Sequence, residues 1–206
     1  MNKLLLHPAA KPVLLALALL PFAQLLWGAV ANTLGANPAE ALIRGTGDWV
    51  LRFLCITLAI TPLREAFGLT GLARMRRMLG NLAFFYGVLH FLCYAWLDMG
   101  LDLVAIVADI PKRPFILVGT LALLLMAPLA ATSFNRAIKA LGAARWKRLH
   151  QAVYAIAGLG LLHFFWMRAG KNDFGEWAVY AVVLAVLLGW RVRRRLQRRT
   201  AARLTS

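Results

Sequence analysis

Three histidines inside apolar stretches are the residues whose type and spacing could support chemistry in this sequence. His90 lies in the run GNLAFFYGVLHFLCYAW, 13 residues after Arg77, and His163 lies 15 residues after Arg148. At about 1.5 Å of helix per residue, both histidines lie roughly 20 Å beyond these arginines, so their depths match. An imidazole has two nitrogens that need partners, and lipid supplies none. The pair therefore predicts a functional role within the apolar region.

Two imidazoles at one depth on separate helices suit the two axial positions of a haem iron. Neutral imidazole is a common iron ligand, and the cores of helix bundles commonly hold cofactors. The residues alone leave two alternatives open, because a structural histidine pair or a proton relay would also explain imidazoles in lipid. Among these, we favour metal ligation by His90 and His163.

His150 stands two residues after Arg148, at the basic end of its segment and far from His163. It could bind a second metal centre, contact a quinone head group or face solvent. An ideal helix would place His150 and His163 roughly 140° apart. They would share a face only if the backbone were deformed, and Gly158 and Gly160 mark the expected place.

Arg74, Arg76 and Arg77 stand where the third apolar segment begins. Free backbone N–H groups and the helix dipole favour anions at a helix N-terminus. A haem propionate, a flavin phosphate or a lipid head group would fit, so we predict that these arginines bind a cofactor. Their alternative role is to orient the chain in a membrane.

The elements that must position these side chains are membrane-spanning helices. The chain has 206 residues, of which 61% are hydrophobic, against about 45–50% in soluble domains. Its mean hydropathy is +0.68. We predict an all-α fold, a six-helix transmembrane bundle whose last span is short. The predicted spans are residues 13–31, 48–66, 79–97, 114–132, 150–168 and 175–190, followed by a basic tail, 191–206.

The charges predict how the bundle is oriented. The net charge is +16, and alternate loops hold 18 of the 24 basic residues, whereas seven of the eight acids fall on the other side. By the positive-inside rule both termini are cytoplasmic, and contact with anionic lipid explains the excess without nucleic acid. The first span could instead be a cleaved signal peptide, but its apolar stretch is longer than a typical signal core.

Other chemistry finds little support. Cys55 and Cys93 both lie in predicted spans and are expected to be buried thiols rather than a disulfide framework or a zinc site. No glycine-rich phosphate loop or HExxH motif occurs, and no loop is large enough for a nucleotide-binding domain. The segment LDLVAIVADI is apolar at helical spacing, which predicts a short helix on the outer surface.

The histidines stand in recognisable surroundings. The runs RRMLGNLAFFYGVLHFLCYAWLD at 76–98 and ITPLRE at 60–65, and the WKRLH that ends at His150 and precedes Tyr154 and His163, resemble the MsrQ family. That family belongs to the ferric-reductase-like transmembrane group. The similarity covers about residues 10–192, and it implies a single domain over residues 1–206.

The resemblance implies a haem b-containing subunit of the bacterial inner membrane that also uses FMN. Such proteins take electrons from membrane quinone and pass them to MsrP, a periplasmic molybdopterin enzyme that reduces methionine sulfoxide in oxidised proteins. His90 and His163 would be the outer haem ligands, and His150 a further candidate ligand.

This sequence departs from the wider group in two ways. Relatives such as NADPH oxidases usually have four ligand histidines, but here Arg76 or Arg77 occupies the position of the inner partner of His90. The sequence also lacks the flavin and nicotinamide domain that those relatives append. Two other functions remain: a haem protein fed by a cytosolic flavin reductase, and a non-redox transporter or scaffold with proton-relay histidines.

Overall fold

The computed structural model describes residues 2–170 and 172–204, and this part of the chain is helical without a β-strand. The predicted all-α fold class is therefore confirmed. The α-helices are α1 (Asn2–Leu6), α2 (Ala10–Val30), α3 (Pro38–Phe67), α4 (Arg76–Cys93), α5 (Leu103–Asp109), α6 (Pro114–Ala131), α7 (Asn135–Leu141), α8 (Ala143–His150), α9 (Val153–Ala169) and α10 (Gly175–Leu204). A 3₁₀ turn, Thr70–Arg74, precedes α4, and a π-helical turn, Tyr94–Asp98, continues it.

Within the described ranges, five helical segments are long and apolar enough to cross a membrane. They are Ala10–Val30, Arg76–Asp98, Pro114–Ala131, Ala143–Ala169 and Gly175–Arg198. The remaining predicted span, 48–66, lies inside the 30-residue helix α3, which carries Asp48, Arg52, Arg64 and Glu65 along this stretch. The count of six membrane helices therefore stays a prediction.

The predicted last span, 175–190, and the described part of the predicted basic tail lie on one helix. Helix α10 runs without a break to Leu204, because the arginines after residue 190 are good helix formers and no glycine or proline interrupts them. Thr205 and Ser206, the end of the predicted tail, lie outside the described residues.

Local sequence explains where α3 begins and ends. The side chain of Asn37 accepts a hydrogen bond from the Glu40 N–H at 3.1 Å, and Pro38 occupies the first turn, where its missing N–H costs nothing. Gly68 ends the helix with a φ of 65°, a left-handed conformation that glycine adopts without strain.

Two helix pairs form the framework of the described chain: α4 packs along α3, and α9 packs along α6. Helix α2 is attached to the first pair through Tyr86 of α4, which is fully buried. The Tyr86 hydroxyl donates to the Ala18 carbonyl at 2.9 Å and accepts from the Phe22 N–H at 3.1 Å. These two backbone groups are the ones that would otherwise pair with each other within α2.

The segment that contains His150 and His163 is broken. Helix α8 ends at His150, a turn at Gln151 and Ala152 follows, and α9 begins at Val153. The expected deformation near Gly158 and Gly160 is not present, since both residues lie inside α9.

A polar cluster ties the loop before α6 to the start of the π-helical turn. Arg113 Nε donates to both Asp109 oxygens, at 2.9 and 2.8 Å, and the Tyr94 hydroxyl donates to the same carboxylate at 2.7 Å. The Arg113 guanidinium holds the pKa of Asp109 below its ordinary value, and the carboxylate in turn raises the pKa of Arg113. The predicted short helix in this loop exists as α5, capped by Asp102.

Candidate functional site

The structure brings the imidazoles of His90 on α4 and His163 on α9 together. Their ring centroids are 5.9 Å apart, and the ring planes are nearly perpendicular, at 82°. Metal–imidazole bonds are about 2.0–2.1 Å long, so two such bonds plus the distance from each nitrogen to its ring centre give about 6.4 Å, close to the observed 5.9 Å. The separation of the two rings therefore suits one metal ion between them.

Each imidazole is oriented by a backbone carbonyl of a neighbouring helix. His90 Nδ1 lies 2.8 Å from the Ile43 carbonyl oxygen on α3, and His163 Nδ1 lies 2.6 Å from that of Phe115 on α6. A carbonyl only accepts, so each Nδ1 carries the hydrogen and each Nε2 has a free lone pair. Neither Nε2 has a hydrogen-bond partner among the described residues, which leaves both available as ligands.

Both histidines line a cavity of about 460 Å³, which we call the histidine-pair cavity. This volume is in the range of about 300–1,000 Å³ that is typical of small-molecule and cofactor sites. Leu51 and Ile116 contribute apolar walls, and the charged side chains that also line the cavity are two cations, Arg44 and Arg113, and three acids, Glu40, Asp48 and Asp98. The lining can therefore surround a largely apolar group, and the two arginines are the side chains able to bind carboxylates on it.

The donor set fits haem better than a metal held by protein alone. In the described part of the chain, no group of three or more His, Cys, Asp or Glu side chains could hold an ion. Structural and catalytic zinc sites need three or four protein ligands, whereas a haem iron needs only two axial ones. Two opposed imidazoles beside a large apolar cavity meet that requirement.

His150 does not join the pair, because it lines a second cavity of about 520 Å³, which we call the arginine cavity. Its ring stacks on Trp146 with the centroids 4.0 Å apart, and its Nδ1 lies 3.2 Å from the Trp146 carbonyl of its own helix. Its Nε2 is buried without a hydrogen bond. His150 is therefore not a third ligand of the histidine-pair site.

The arginine cavity also receives two of the three predicted arginines. Arg76 and Arg77 line it, whereas Arg74 lies outside it and donates to the Leu6 carbonyl at 2.6 Å. The basic side chains on its walls are Arg76, Arg77, Lys147, Arg191, Arg194, Arg195 and Arg198, against one acid, Glu65. This lining favours an anionic ligand.

Sequence reasoning missed several residues of this cavity. Thr57 is 6% exposed, and its hydroxyl has no hydrogen-bond partner in the structure. Arg191 reaches across from α10, where its guanidinium donates to the Leu58 carbonyl and lies 5.7 Å from the Tyr154 ring centroid. Residues from so many helices meet only in the folded chain, so spacing along one segment could not reveal them.

A thin apolar wall separates the two cavities. Leu54 on α3, Met126 on α6 and Ile156 on α9 line both cavities. One layer of side chains therefore stands between the histidine pair and the arginine cavity.

Comparison with known proteins agrees with this arrangement. Residues 45–161, which include His90 and His150 and end two residues before His163, match the family described as ferric reductase like transmembrane component. The class of protein is thus a ferric-reductase-like membrane protein. No solved structure matches the chain.

Curated relatives narrow the class. Three of them carry the name protein-methionine-sulfoxide reductase heme-binding subunit MsrQ. The protein from Polaromonas naphthalenivorans is 65% identical over 93% of this chain and 87% of its own length. Those from Bordetella pertussis and Xanthomonas campestris are 53% and 46% identical, over 94% and 95% of this chain and 93% and 91% of their own lengths. This chain belongs to the MsrQ family.

Proposed function

We propose that this chain is a haem b electron-transfer subunit that passes electrons from membrane quinone to a periplasmic, MsrP-like molybdoenzyme, for the repair of methionine sulfoxide in oxidised proteins. The opposed imidazoles of His90 and His163, at 5.9 Å between ring centroids, are the observation that carries the proposal. The names of the relatives, heme-binding subunits of a methionine sulfoxide reductase, support both the cofactor and the partner.

His90 and His163 would hold haem b through their Nε2 atoms in the histidine-pair cavity. The bound haem supplies one-electron chemistry. The Nδ1–H bonds to the carbonyls of Ile43 and Phe115 hold both imidazoles in the tautomer whose Nε2 can bind iron. Arg44 and Arg113 line the same cavity, where they pair with Glu40 and Asp109, and their remaining N–H groups would bind the haem carboxylates.

The arginine cavity would bind FMN, as the resemblance to the family implies. Arginine recognises phosphate through paired N–H donors, and Arg76 and Arg77 both line this cavity. The Thr57 hydroxyl and His150 Nε2 are buried without partners, so a bound ligand with polar ring atoms would satisfy them. His150 is then a contact for FMN or for the quinone head group rather than a haem ligand.

Electrons would cross the apolar wall of Leu54, Met126 and Ile156 from the arginine cavity to the histidine pair. The side chains of the wall exclude water and fix the separation between the two sites. No general acid or nucleophile is required, apart from groups that accept protons when a quinol is oxidised.

We also propose the membrane arrangement that this path requires. The chain forms one domain, 1–206, with six helices in the bacterial inner membrane and both termini in the cytoplasm. The basic lining of the arginine cavity supports a cytoplasmic position, because basic residues remain on that side of the bilayer and contact anionic lipids. The histidine pair then lies toward the periplasm, where the molybdoenzyme would accept electrons.

A redox difference spectrum of the purified protein tests the haem assignment. We expect a reducible b-type signal that is lost in His90→Ala and in His163→Ala but kept in His150→Ala, which serves as the matched histidine control. Loss of the signal in His150→Ala alone would contradict the assignment of the ligands. A folded, colourless wild-type protein would instead support a transporter or scaffold.

The electron donor needs a separate measurement. In proteoliposomes, quinol should reduce the haem, and quinone analogues should block this reduction. If reduction of the haem requires a cytosolic flavin reductase and is not inhibited by quinone analogues, the electron donor is that reductase and not quinone.

A further inference from the structure

Each imidazole of the histidine pair lies directly against a glycine of the helix that orients it. A β-carbon added at Gly47 would lie 3.0 Å from both Nδ1 and Cε1 of His90. At Gly119 it would lie 2.7 Å from Nδ1 and 2.9 Å from Cε1 of His163. Among the described glycines, only these two face a histidine in this way.

The two glycines share one register relative to the carbonyl that the imidazole uses. Gly47 follows Ile43 by four residues, and Gly119 follows Phe115 by four residues. In an α-helix the carbonyl of residue i accepts from the N–H of residue i+4, and the side chain at i+4 points back toward that carbonyl. The oxygen of the carbonyl at residue i uses one lone pair for its helical hydrogen bond. Because a glycine at i+4 has no side chain to cover this oxygen, an imidazole N–H can donate to the second lone pair.

We propose that Gly47 and Gly119 are positioning residues for the two haem ligands. Each glycine forms a notch in which the imidazole lies flat against the helix, donates from Nδ1 and turns Nε2 toward its counterpart. This inference rests on the proposed haem site. The Nδ1–H bond in each notch raises the basicity of the ligating nitrogen, and the two notches fix the angle between the ring planes.

Close helix packing is the ordinary reason for glycine in a membrane helix, and the surroundings distinguish the two explanations. At positions 47 and 119, the three atoms nearest to an added β-carbon all belong to an imidazole. At Gly87, which lines the same cavity, the nearest atom belongs to the aliphatic side chain of Leu123. The ring, and not the opposing backbone, is what the missing side chain accommodates.

The test compares Gly47→Ala, Gly119→Ala and a control, Gly158→Ala, in the haem-loaded protein. An added β-carbon at Gly158, in the middle of α9, would have no neighbour within 4 Å. The readouts are the EPR spectrum of the oxidised protein, the midpoint potential and haem affinity. Wild-type protein should give a strongly anisotropic low-spin signal, because its imidazole planes are nearly perpendicular.

In Gly119→Ala the β-carbon must displace the ring of His163. We expect a reduced anisotropy or a high-spin signal, a higher midpoint potential because the ligand becomes less basic, and haem binding weakened by about tenfold or more. Gly47→Ala should change the same three quantities in the same direction but less, since its clash is smaller. Gly158→Ala should match the wild type.

The outcomes separate this inference from the proposed function. If the wild-type protein shows no bis-histidine low-spin haem, the proposed function fails, and the glycine inference fails with it. If the wild type shows that haem but Gly47→Ala and Gly119→Ala match Gly158→Ala in spectrum and potential, the inference alone is overturned. Should Gly119→Ala not fold, Gly47→Ala decides, because its contact needs a shift of only a few tenths of an ångström.

Discussion

His163 and His150 belong to neighbouring helices of one segment, yet the structure prepares their imidazoles in different ways. His163 Nδ1 meets a carbonyl of another helix at 2.6 Å, and its ring faces a second imidazole. His150 Nδ1 lies 3.2 Å from a carbonyl of its own helix, and its Nε2 is buried without a partner. The first arrangement fixes the orientation of an imidazole, whereas the second leaves a buried polar atom unsatisfied.

The same contrast extends to the two cavities. The histidine-pair cavity has two arginines and three acids in its lining, and its two imidazoles bond to backbone carbonyls. The arginine cavity has seven basic side chains and one acid, together with the unpartnered Thr57 hydroxyl. Geometry dominates the first site and charge dominates the second, so substitutions in each should affect different measurements.

The largest effect should follow removal of charge from the arginine cavity. Replacing both Arg76 and Arg77 with glutamine should lower the FMN content of the purified protein by about tenfold or more, since each charged hydrogen bond contributes about 1.5–3 kcal/mol. Arg74→Gln is the matched control, because Arg74 lies outside this cavity. The dithionite-reduced haem spectrum should not change in either variant.

An equal loss of FMN in Arg74→Gln would show that the arginines act through overall charge. A changed haem spectrum in the Arg76→Gln, Arg77→Gln variant would show that the two cavities do not work separately. Either result would contradict the separate roles of the two cavities.

A smaller effect should follow substitution of the unpaired hydroxyl in the arginine cavity. Thr57→Val replaces a buried hydroxyl that has no partner with a methyl group of similar size. In FMN-free protein we expect the free energy of unfolding to stay the same or to rise by up to about 1 kcal/mol, because burial of an unpaired hydroxyl is unfavourable. In FMN-loaded protein the same change should weaken binding. A clear loss of stability without FMN would mean that the hydroxyl already has a partner.

The smallest effect concerns pH at the loop next to the histidine-pair cavity. Arg113 lowers the pKa of Asp109, so their contact contributes stability above the ordinary aspartate pKa and loses it as pH falls through the lowered value. The unfolding temperature of the wild type should therefore fall more steeply toward acid pH than that of Asp109→Asn. Parallel pH profiles for the two proteins would contradict this assignment.

The sequence allowed the helical class and the matched depth of His90 and His163 to be predicted, because both depend on local periodicity and on distance along a helix. It could not reveal which glycines of other helices adjoin the two rings. Gly47 and Gly119 resemble any glycine of a membrane helix until the fold places an imidazole against each. Their register, four residues after a carbonyl, becomes informative only when that carbonyl is known to be the acceptor.

The position of the break before α9 was also beyond local reasoning. Gln151 and Ala152 are not helix breakers, whereas the glycines that suggested a deformation, Gly158 and Gly160, lie in regular helix. Similarly, Arg74, Arg76 and Arg77 are equivalent in the sequence. Tertiary contacts alone separate Arg74, which bonds to the Leu6 carbonyl, from the two arginines that line a cavity.

The wall of Leu54, Met126 and Ile156 has a consequence for energetics under the proposed function. Its side chains offer no group that could relay a proton, so an electron would cross it alone and protons released by a quinol would stay behind. The cytoplasm is the negative side of an energised bacterial membrane. The transfer of an electron from this side to the other is therefore favourable by about 2.3 kcal/mol per 100 mV of potential crossed. Each repair cycle would thus be electrogenic and would partly discharge the membrane voltage.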